Sequence, residues 1–156
     1  IADGTWEVSL PANSIRHGSR VRFCAWKQDG SKVSRVPAMM KWAAPDPHKF
    51  GSAYDGLYWD PPWEARFPGF RAPHPAVPRT LRIYEAHVGM SSTEAKCNSY
   101  LEFANDVLPR IKEAGYNCVQ LMAIMEHSYY GSFGYHVTSP FAVSSRSGTP
   151  DEFKIL

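Results

Sequence analysis

A β-strand, an α-helix and a second β-strand are predicted in that order by residues 81–124, which read LRIYEAHVGMSSTEAKCNSYLEFANDVLPRIKEAGYNCVQLMAI. The first eight residues alternate as a half-buried strand does, and residues 118–124 form an apolar second strand. Ser99 is suited to cap the helix, Gly115 is suited to end it, and Pro109 should kink it or split it into two segments. The apolar helix face is expected to carry Leu101, Ala104, Leu108 and Ile111.

The carboxyl ends of the two strands are expected to lie at one edge of a sheet. A helical crossover makes the strands parallel with a right-handed connection, so both strands point toward the same rim. Glu85 and His87 are therefore predicted to face the same rim as Glu126 and His127.

The loop after the second strand has the composition of a sugar site. Residues 126–135, EHSYYGSFGY, combine Glu126 and His127 with three tyrosines and a phenylalanine. Sugar rings present apolar CH faces and a rim of hydroxyls, so aromatic rings and carboxylate or imidazole groups suit them. Two interpretations stay open: Glu126 and His127 bind sugar, or they form an internal hydrogen-bonded pair that shapes the loop.

The first 80 residues predict a small sheet followed by an extended segment. Within residues 1–44, two alternating stretches, Trp6 to Leu10 and Val21 to Ala25, and the Asp29-Gly30 turn predict an antiparallel sheet, too short for a complete sandwich of about seven strands. Trp6 is expected to fill its core. Residues 45–80 hold eight of the 13 prolines together with many aromatics. Because proline disfavours helices and central strands, we expect an extended strap packed across two domains. The alternative is a proline motif that binds aromatic-grooved partner modules.

Composition argues against several classes of function. A net charge of +2 with interspersed signs gives no basic stripe, so no nucleic-acid partner is expected. No apolar run approaches the roughly 20 residues that span a bilayer, so no membrane partner is expected either. The three cysteines are far apart without Cys-x-x-Cys spacing, which predicts neither disulfides nor a zinc site. The strong helix start at residues 149–152, close to the last residue, predicts a truncated sequence.

Four stretches resemble one enzyme family over nearly the whole chain. They are GTWEVSLP (residues 4–11), KFGSAYDGLYWDPP (49–62), RIYEAHVGMSS (82–92) and VLPRIKEAGYNCVQLMAIMEHSYYGSFGYHVTSPFAVSSRSGTPDEFK (107–154). They are similar to eukaryotic starch or glycogen branching enzymes (1,4-α-glucan branching enzymes) of the α-amylase superfamily. The resemblance implies a mixed β plus α/β fold. Residues 1–44 are then the C-terminal part of a starch-binding β-sandwich, residues 81–156 are the N-terminal part of a (β/α)8 barrel, and residues 45–80 connect the two. A whole barrel needs about 250 residues, so only its first part fits here.

The resemblance implies the activity of a whole enzyme, of which this chain is only a part. Branching enzymes cleave an α-1,4 bond and transfer the glucan segment to a 6-hydroxyl as an α-1,6 branch, without a metal or organic cofactor. This retaining chemistry needs two carboxylates roughly 5 Å apart. In the family they lie on later strands, so no catalytic residue is expected here, Glu85 and Glu126 included, and the chain alone should be inactive. The alternatives are a non-catalytic glucan-binding or regulatory isoform and, less favoured by the quoted motifs, a hydrolase or debranching relative.

Binding residues are carried over by position. Tyr135, between Gly134 and His136, matches the tyrosine that stacks on the sugar at the cleaved bond, although a packed core tyrosine is the plainer alternative. Arg22 matches a glucan-binding lysine of the starch-binding module. The predicted substrate-binding set is therefore Tyr135, Arg22, His136, His127 and Glu126. Starch and glycogen are not distinguished. The sequence of residues 36–56 resembles plant or algal forms, which implies that the protein is located in a plastid; otherwise a cytoplasmic location is expected.

Overall fold

Small sheets and a few short helices make up the computed structural model, which describes residues 6–48, 54–70 and 73–156. The strands are β1 Arg20–Val21, β2 Phe23–Trp26, β3 Lys32–Arg35, β4 Trp42–Ala44, β5 Asp55–Leu57, β6 Ile83–Ala86, β7 Cys118–Leu121, β8 Met125–Glu126 and β9 Ser139–Val143. The α-helices are α1 Tyr100–Glu102, α2 Leu108–Glu113 and α3 Pro150–Ile155. Short 3-10 turns cover Trp63–Ala65, Val88–Met90 and Tyr130–Ser132. None of the helices in the described part of the chain is long and apolar enough to cross a membrane.

The N-terminal strands form two antiparallel sheets. β2 and β3 make a hairpin, as the Asp29-Gly30 turn predicts: Gly30 has φ 78° and its N–H donates to the Lys27 carbonyl at 3.0 Å. β1, β5 and β4 form a second sheet in that order. The prediction that proline keeps a central strand out of residues 45–80 is wrong, because the proline-free β5 lies between β1 and β4.

The predicted strand over residues 6–10 is wrong. They have no regular secondary structure, and Trp6 is 97% exposed, so it does not fill a core. An alternating pattern becomes a strand only where a neighbouring strand takes up its backbone hydrogen bonds, and no strand of the described part of the chain pairs with these residues.

The β-α-β unit is present. β6 and β7 pair in parallel with Ile83 opposite Cys118 and Ala86 opposite Leu121. Ser99 caps the helix in a capping box: its hydroxyl accepts from the N–H of Glu102 at 3.1 Å, and the Glu102 carboxylate accepts from the N–H of Ser99 at 2.9 Å. The second strand is shorter than predicted and ends at Leu121.

Pro109 splits the helix, as predicted. α1 passes into a π-helical segment, Phe103–Val107, where the N–H of Leu108 donates to the carbonyl of Phe103, five residues back. Pro109 is then the second residue of α2. The wide turn changes which side chains face inward, because the extra residue rotates the face that packs on the sheet. Phe103 is fully buried at 0% exposure, whereas Leu101 and Ala104 from the predicted face are only half-buried.

One hydrophobic core lies between this helix and the β6–β7 pair. Its buried members are Ala86, Val88, Tyr100, Phe103 and Ile111. Val143 from β9 and Phe153 from α3 pack against it. α3 begins where Thr149 predicts, with a second capping box to Glu152. The core therefore fixes the carboxyl end of β7, from which the aromatic loop extends.

Candidate functional site

The ring of Tyr135 stands on the surface at the carboxyl end of β7. It is 64% exposed, and its hydroxyl approaches the sulfur of Met122, the residue after β7, at 3.5 Å. Tight turns build the loop, because the N–H of Ser132 donates to Tyr129 O at 3.1 Å and the N–H of Tyr135 donates to Ser132 O at 3.0 Å. The alternative of a packed core tyrosine does not describe this position, since most of the ring is open to solvent.

Gly134 allows the loop that carries Tyr135 to pack closely on the residues after β7. Its φ is +93°, and a Cβ placed there would lie 2.8 Å from the Cβ of Ala123. Ala123 and Phe133 are themselves in the left-handed region, with φ 50° and 52°. Non-glycine residues adopt such backbone only where the surroundings hold them, and such positions cluster at functional sites. The loop that carries Tyr135 is thus closely fitted to the residues after β7.

Glu126 is buried rather than presented to solvent. Its side chain is fully covered, one carboxylate oxygen accepts from the N–H of His127 at 2.9 Å, and the other accepts from the N–H of Ser145 at 2.7 Å. Burial raises the pKa of the Glu126 carboxyl, while these hydrogen bonds oppose the rise. The internal pair proposed from the sequence takes a specific form: the backbone of His127, not its ring, donates to the carboxylate.

His127 and His87 line one small cavity of about 20 Å³, room for one water molecule. The Nε2 of His87 lies 2.7 Å from the carbonyl of Phe133; because a carbonyl only accepts, this nitrogen carries the proton. The buried Nδ1 of His87 has no hydrogen-bond partner within the described residues. Glu85 is not part of this group. Its carboxylate accepts from Gln120 Nε2 at 3.3 Å, so the predicted common rim holds for His87 but not for Glu85.

Arg22 lies on the N-terminal sheets with its guanidinium engaged by protein groups. Nε donates to the Ser34 hydroxyl at 2.8 Å, and Nη1 donates to the Tyr54 carbonyl at 2.8 Å and to the Asp55 carboxylate at 2.9 Å. Arg20 also pairs with Asp55, at 3.1 Å. Arg20 thus joins β1 to β5, and Arg22 joins the β2–β3 hairpin, through Ser34, to β5.

His136 and Arg146 complete the surroundings of the loop. The ring of His136 is exposed and lies 6.1 Å from that of Tyr129. Arg146 was not identified from the sequence. One of its terminal nitrogens donates to the Ser128 carbonyl at 2.9 Å and to the Tyr54 hydroxyl at 3.2 Å. Its neighbours are 18 and 92 residues away, so no local pattern points to it.

The described residues offer no group of three or more His, Cys, Asp or Glu that could hold a metal ion. What the site offers is the exposed ring of Tyr135 and the exposed imidazole of its chain neighbour His136, on a loop held by buried polar contacts. Such a surface can stack on a flat apolar face and hydrogen-bond at its edge. It presents no pair of open carboxylates, since both oxygens of Glu126 are taken by backbone N–H groups.

Comparison with known proteins places the chain in a family. It is 56% identical over 158 aligned residues to 1,4-alpha-glucan-branching enzyme 1, chloroplastic/amyloplastic, of Pisum sativum, and 57% identical over 157 residues to the 1,4-alpha-glucan-branching enzyme of Solanum tuberosum. The enzyme of the same name from Aspergillus oryzae is 46% identical over 157 residues. Each match covers 98% of this chain. No protein-family model matches it.

The chain belongs to the family of 1,4-alpha-glucan-branching enzymes, as its sequence motifs predict. It spans about a fifth of the length of these relatives: 19% of the pea protein, 18% of the potato protein and 22% of the Aspergillus protein.

Proposed function

We propose that this chain is the part of a 1,4-α-glucan branching enzyme that binds the α-glucan beside the catalytic centre. The whole enzyme would cleave an α-1,4 bond and transfer the released segment to a 6-hydroxyl of starch or glycogen. The observation that carries the proposal is the ring of Tyr135, 64% exposed at the carboxyl end of β7, in a chain that is 56% identical to a named branching enzyme.

The domain assignment is part of the proposal. Residues 1–44 form the C-terminal part of a starch-binding β-sandwich, 45–80 connect, and 81–156 begin a (β/α)8 barrel. The antiparallel hairpin β2–β3 supports the first assignment, and the parallel pair β6–β7 with its helical crossover supports the last. In barrels of this kind the active site lies at the carboxyl ends of the strands, where Tyr135 is found.

Tyr135 and His136 are the residues proposed to touch glucan. An exposed tyrosine ring matches the apolar CH face of a glucose unit, and the neighbouring imidazole can hydrogen-bond to a hydroxyl. We assign Glu126 and His127 to positioning, because they are 0% and 5% exposed and their side chains contact backbone groups. The Glu126 carboxylate accepts from the N–H groups of His127 and Ser145, and Nδ1 of His127 lies 3.3 Å from the Met125 carbonyl. Direct glucan contact by Glu126, His127 or Arg22 stays a prediction from the sequence.

The chemistry is assigned to carboxylates outside this chain. Retaining transfer needs an acid and a nucleophile roughly 5 Å apart and open to the substrate. Glu126 is enclosed, so Glu126 and Glu85 do not form such a pair. The 156-residue chain alone is therefore expected to leave the iodine staining of amylose unchanged. Loss of staining without release of reducing sugar would place essential carboxylates in this chain and overturn the assignment. The non-catalytic isoform remains the alternative.

Substitution of Tyr135 in the full-length enzyme tests the binding role. Tyr135→Ala should raise the KM for amylose about tenfold or more, because stacking and area burial by one aromatic ring are together worth at least 1.4 kcal/mol. Tyr135→Phe should stay within about twofold of wild type, because the ring is kept. The matched control is Tyr129→Ala, which removes a ring that is 62% exposed on the same loop. Unchanged kinetics in Tyr135→Ala, with unchanged thermal stability, would remove Tyr135 from the site.

The location is proposed from the relatives. Those from Pisum sativum, Oryza sativa and Arabidopsis thaliana are named chloroplastic/amyloplastic, and the Aspergillus oryzae relative carries no location in its name. We assign the enzyme to the plastid if its source is a plant or alga, and to the cytoplasm otherwise. Imaging of the full-length protein with a C-terminal fluorescent tag decides between the two.

A further inference from the structure

We propose that Arg146 is a positioning residue that holds the Tyr135 loop in its glucan-binding position by joining the base of the loop to Tyr54. This inference rests on the proposed function. It assigns a role to a side chain that lies between the connecting segment and the loop, and it makes the placement of Tyr135 depend on both.

Arg146 projects from a turn that is fixed on two sides. The N–H of Ser144 donates to the Ile124 carbonyl at 2.8 Å, and the Tyr100 hydroxyl donates to the Ser144 carbonyl at 3.0 Å. The N–H of Tyr100 donates to the Ser147 carbonyl at 2.9 Å, and Tyr100 is 1% exposed. A turn bonded to a buried core tyrosine at both ends is a firm base for a long side chain.

The guanidinium reaches the base of the loop from this turn. One terminal nitrogen donates to the Ser128 carbonyl at 2.9 Å, and the carbon Cζ lies 5.1 Å from the centre of the Tyr130 ring. A charged donor to a carbonyl and a cation over an aromatic face are two attractions that one planar group makes together. They hold Ser128, just before the turns that end at Tyr135, and Tyr130, within the first of these turns.

The same nitrogen also contacts the connecting segment. It lies 3.2 Å from the hydroxyl of Tyr54, whose own carbonyl accepts from Arg22 at 2.8 Å. The next residue, Asp55, begins β5 and is held by Arg20 and Arg22. A continuous set of contacts thus runs from the N-terminal sheets through Tyr54 and Arg146 to the loop. The loop is therefore fixed by the connecting segment as well as by its own turns.

Kinetics of the full-length enzyme with amylose test this role. Arg146→Lys keeps the charge but loses the planar fork, so it should raise KM about fivefold to tenfold and leave kcat within about twofold. Tyr54→Phe removes only one hydroxyl and should raise KM about twofold to threefold. The matched controls are Arg110→Lys, at an arginine whose Nε donates to the Asp106 carbonyl one turn earlier, and Tyr58→Phe on the connecting segment; both should leave KM unchanged.

The double variants separate positioning from general destabilisation. Because Arg146 acts through Tyr135, adding Arg146→Lys to Tyr135→Ala should change KM no further. A further rise of fivefold or more in that background, or an unchanged KM in both Arg146→Lys and Tyr54→Phe, would overturn the inference. If Tyr135→Ala alone has no effect, the proposed function fails instead, so the two failures are distinguishable. If Arg146→Lys does not fold, the inference is tested with Tyr54→Phe instead, both alone and combined with Tyr135→Ala.

Discussion

The carboxylate of Glu126 accepts the backbone N–H of Ser145 at 2.7 Å and so joins β8 to the turn after β9. Its other oxygen accepts from the N–H of His127 at 2.9 Å. A glutamine in this place offers one acceptor and two donors, so one of the two backbone N–H groups faces another donor. Glu126→Gln should therefore destabilise this region by about 1–3 kcal/mol. Hydrogen exchange of residues 124–146 in the full-length protein measures the effect. Glu85→Gln, which changes an exposed carboxylate, should leave that exchange unaltered.

The loss of stability caused by Glu126→Gln should decrease as pH rises. Burial raises the pKa of the Glu126 carboxyl above its ordinary value of 4.5. A raised pKa in the folded state means that the stability contribution is full below the ordinary pKa and is lost as pH rises through the folded pKa. The difference between wild type and Glu126→Gln should thus be largest at and below the ordinary pKa and should shrink as pH rises toward neutral. A difference that grows with pH would mean that the two hydrogen bonds outweigh burial.

Gly134→Ala should displace Tyr135. The substitution places a methyl 2.8 Å from the Cβ of Ala123 in a residue whose φ is +93°. We expect a local loss of about 2–4 kcal/mol, from left-handed strain together with steric overlap, and a higher KM for amylose.

Gly115→Ala is the matched control for Gly134→Ala. Gly115 also has a positive φ, +87°, but its Cβ would meet nothing within 4 Å, and it precedes β7 rather than following it. Gly115→Ala should lower the free energy of unfolding by about 1–2 kcal/mol and leave KM unchanged. Equal effects of the two substitutions on stability and on KM would show that the contact with Ala123 does not place the loop.

Local signals in the sequence predicted the elements that depend on neighbouring residues. The Asp29-Gly30 turn, the caps at Ser99 and Thr149 and the split at Pro109 are all present, because each is decided within a few residues. The stacking role of Tyr135 is implied by the family resemblance instead; the residues alone favour a packed core tyrosine, whereas the ring is 64% exposed.

Local sequence patterns did not predict the contacts between residues that are far apart in the chain. Tyr54 and Arg146 are 92 residues apart, and nothing near either one marks the other as its partner. Glu126 reads as an open carboxylate in sequence, yet Ser145 supplies the backbone N–H that lets it be buried. β5 is a central strand because β1 and β4 flank it, which its proline-rich surroundings do not indicate.

Arg22→Lys distinguishes a glucan contact from a structural one. The N–H groups of the Arg22 guanidinium donate hydrogen bonds to Ser34, Tyr54 and Asp55, and the single ammonium group of lysine cannot reproduce this planar arrangement of donors. If the role is structural, exchange at residues 32–35 and 54–57 should rise by the equivalent of about 1–2 kcal/mol, because four hydrogen bonds of the guanidinium are replaced by fewer from the ammonium. Glucan affinity at the N-terminal sheets, measured by calorimetry with maltoheptaose on the full-length protein, should stay unchanged. Arg16→Lys, at an exposed arginine before β1, is the control. A loss of affinity without faster exchange would instead return Arg22 to the glucan-binding role that its sequence position implies.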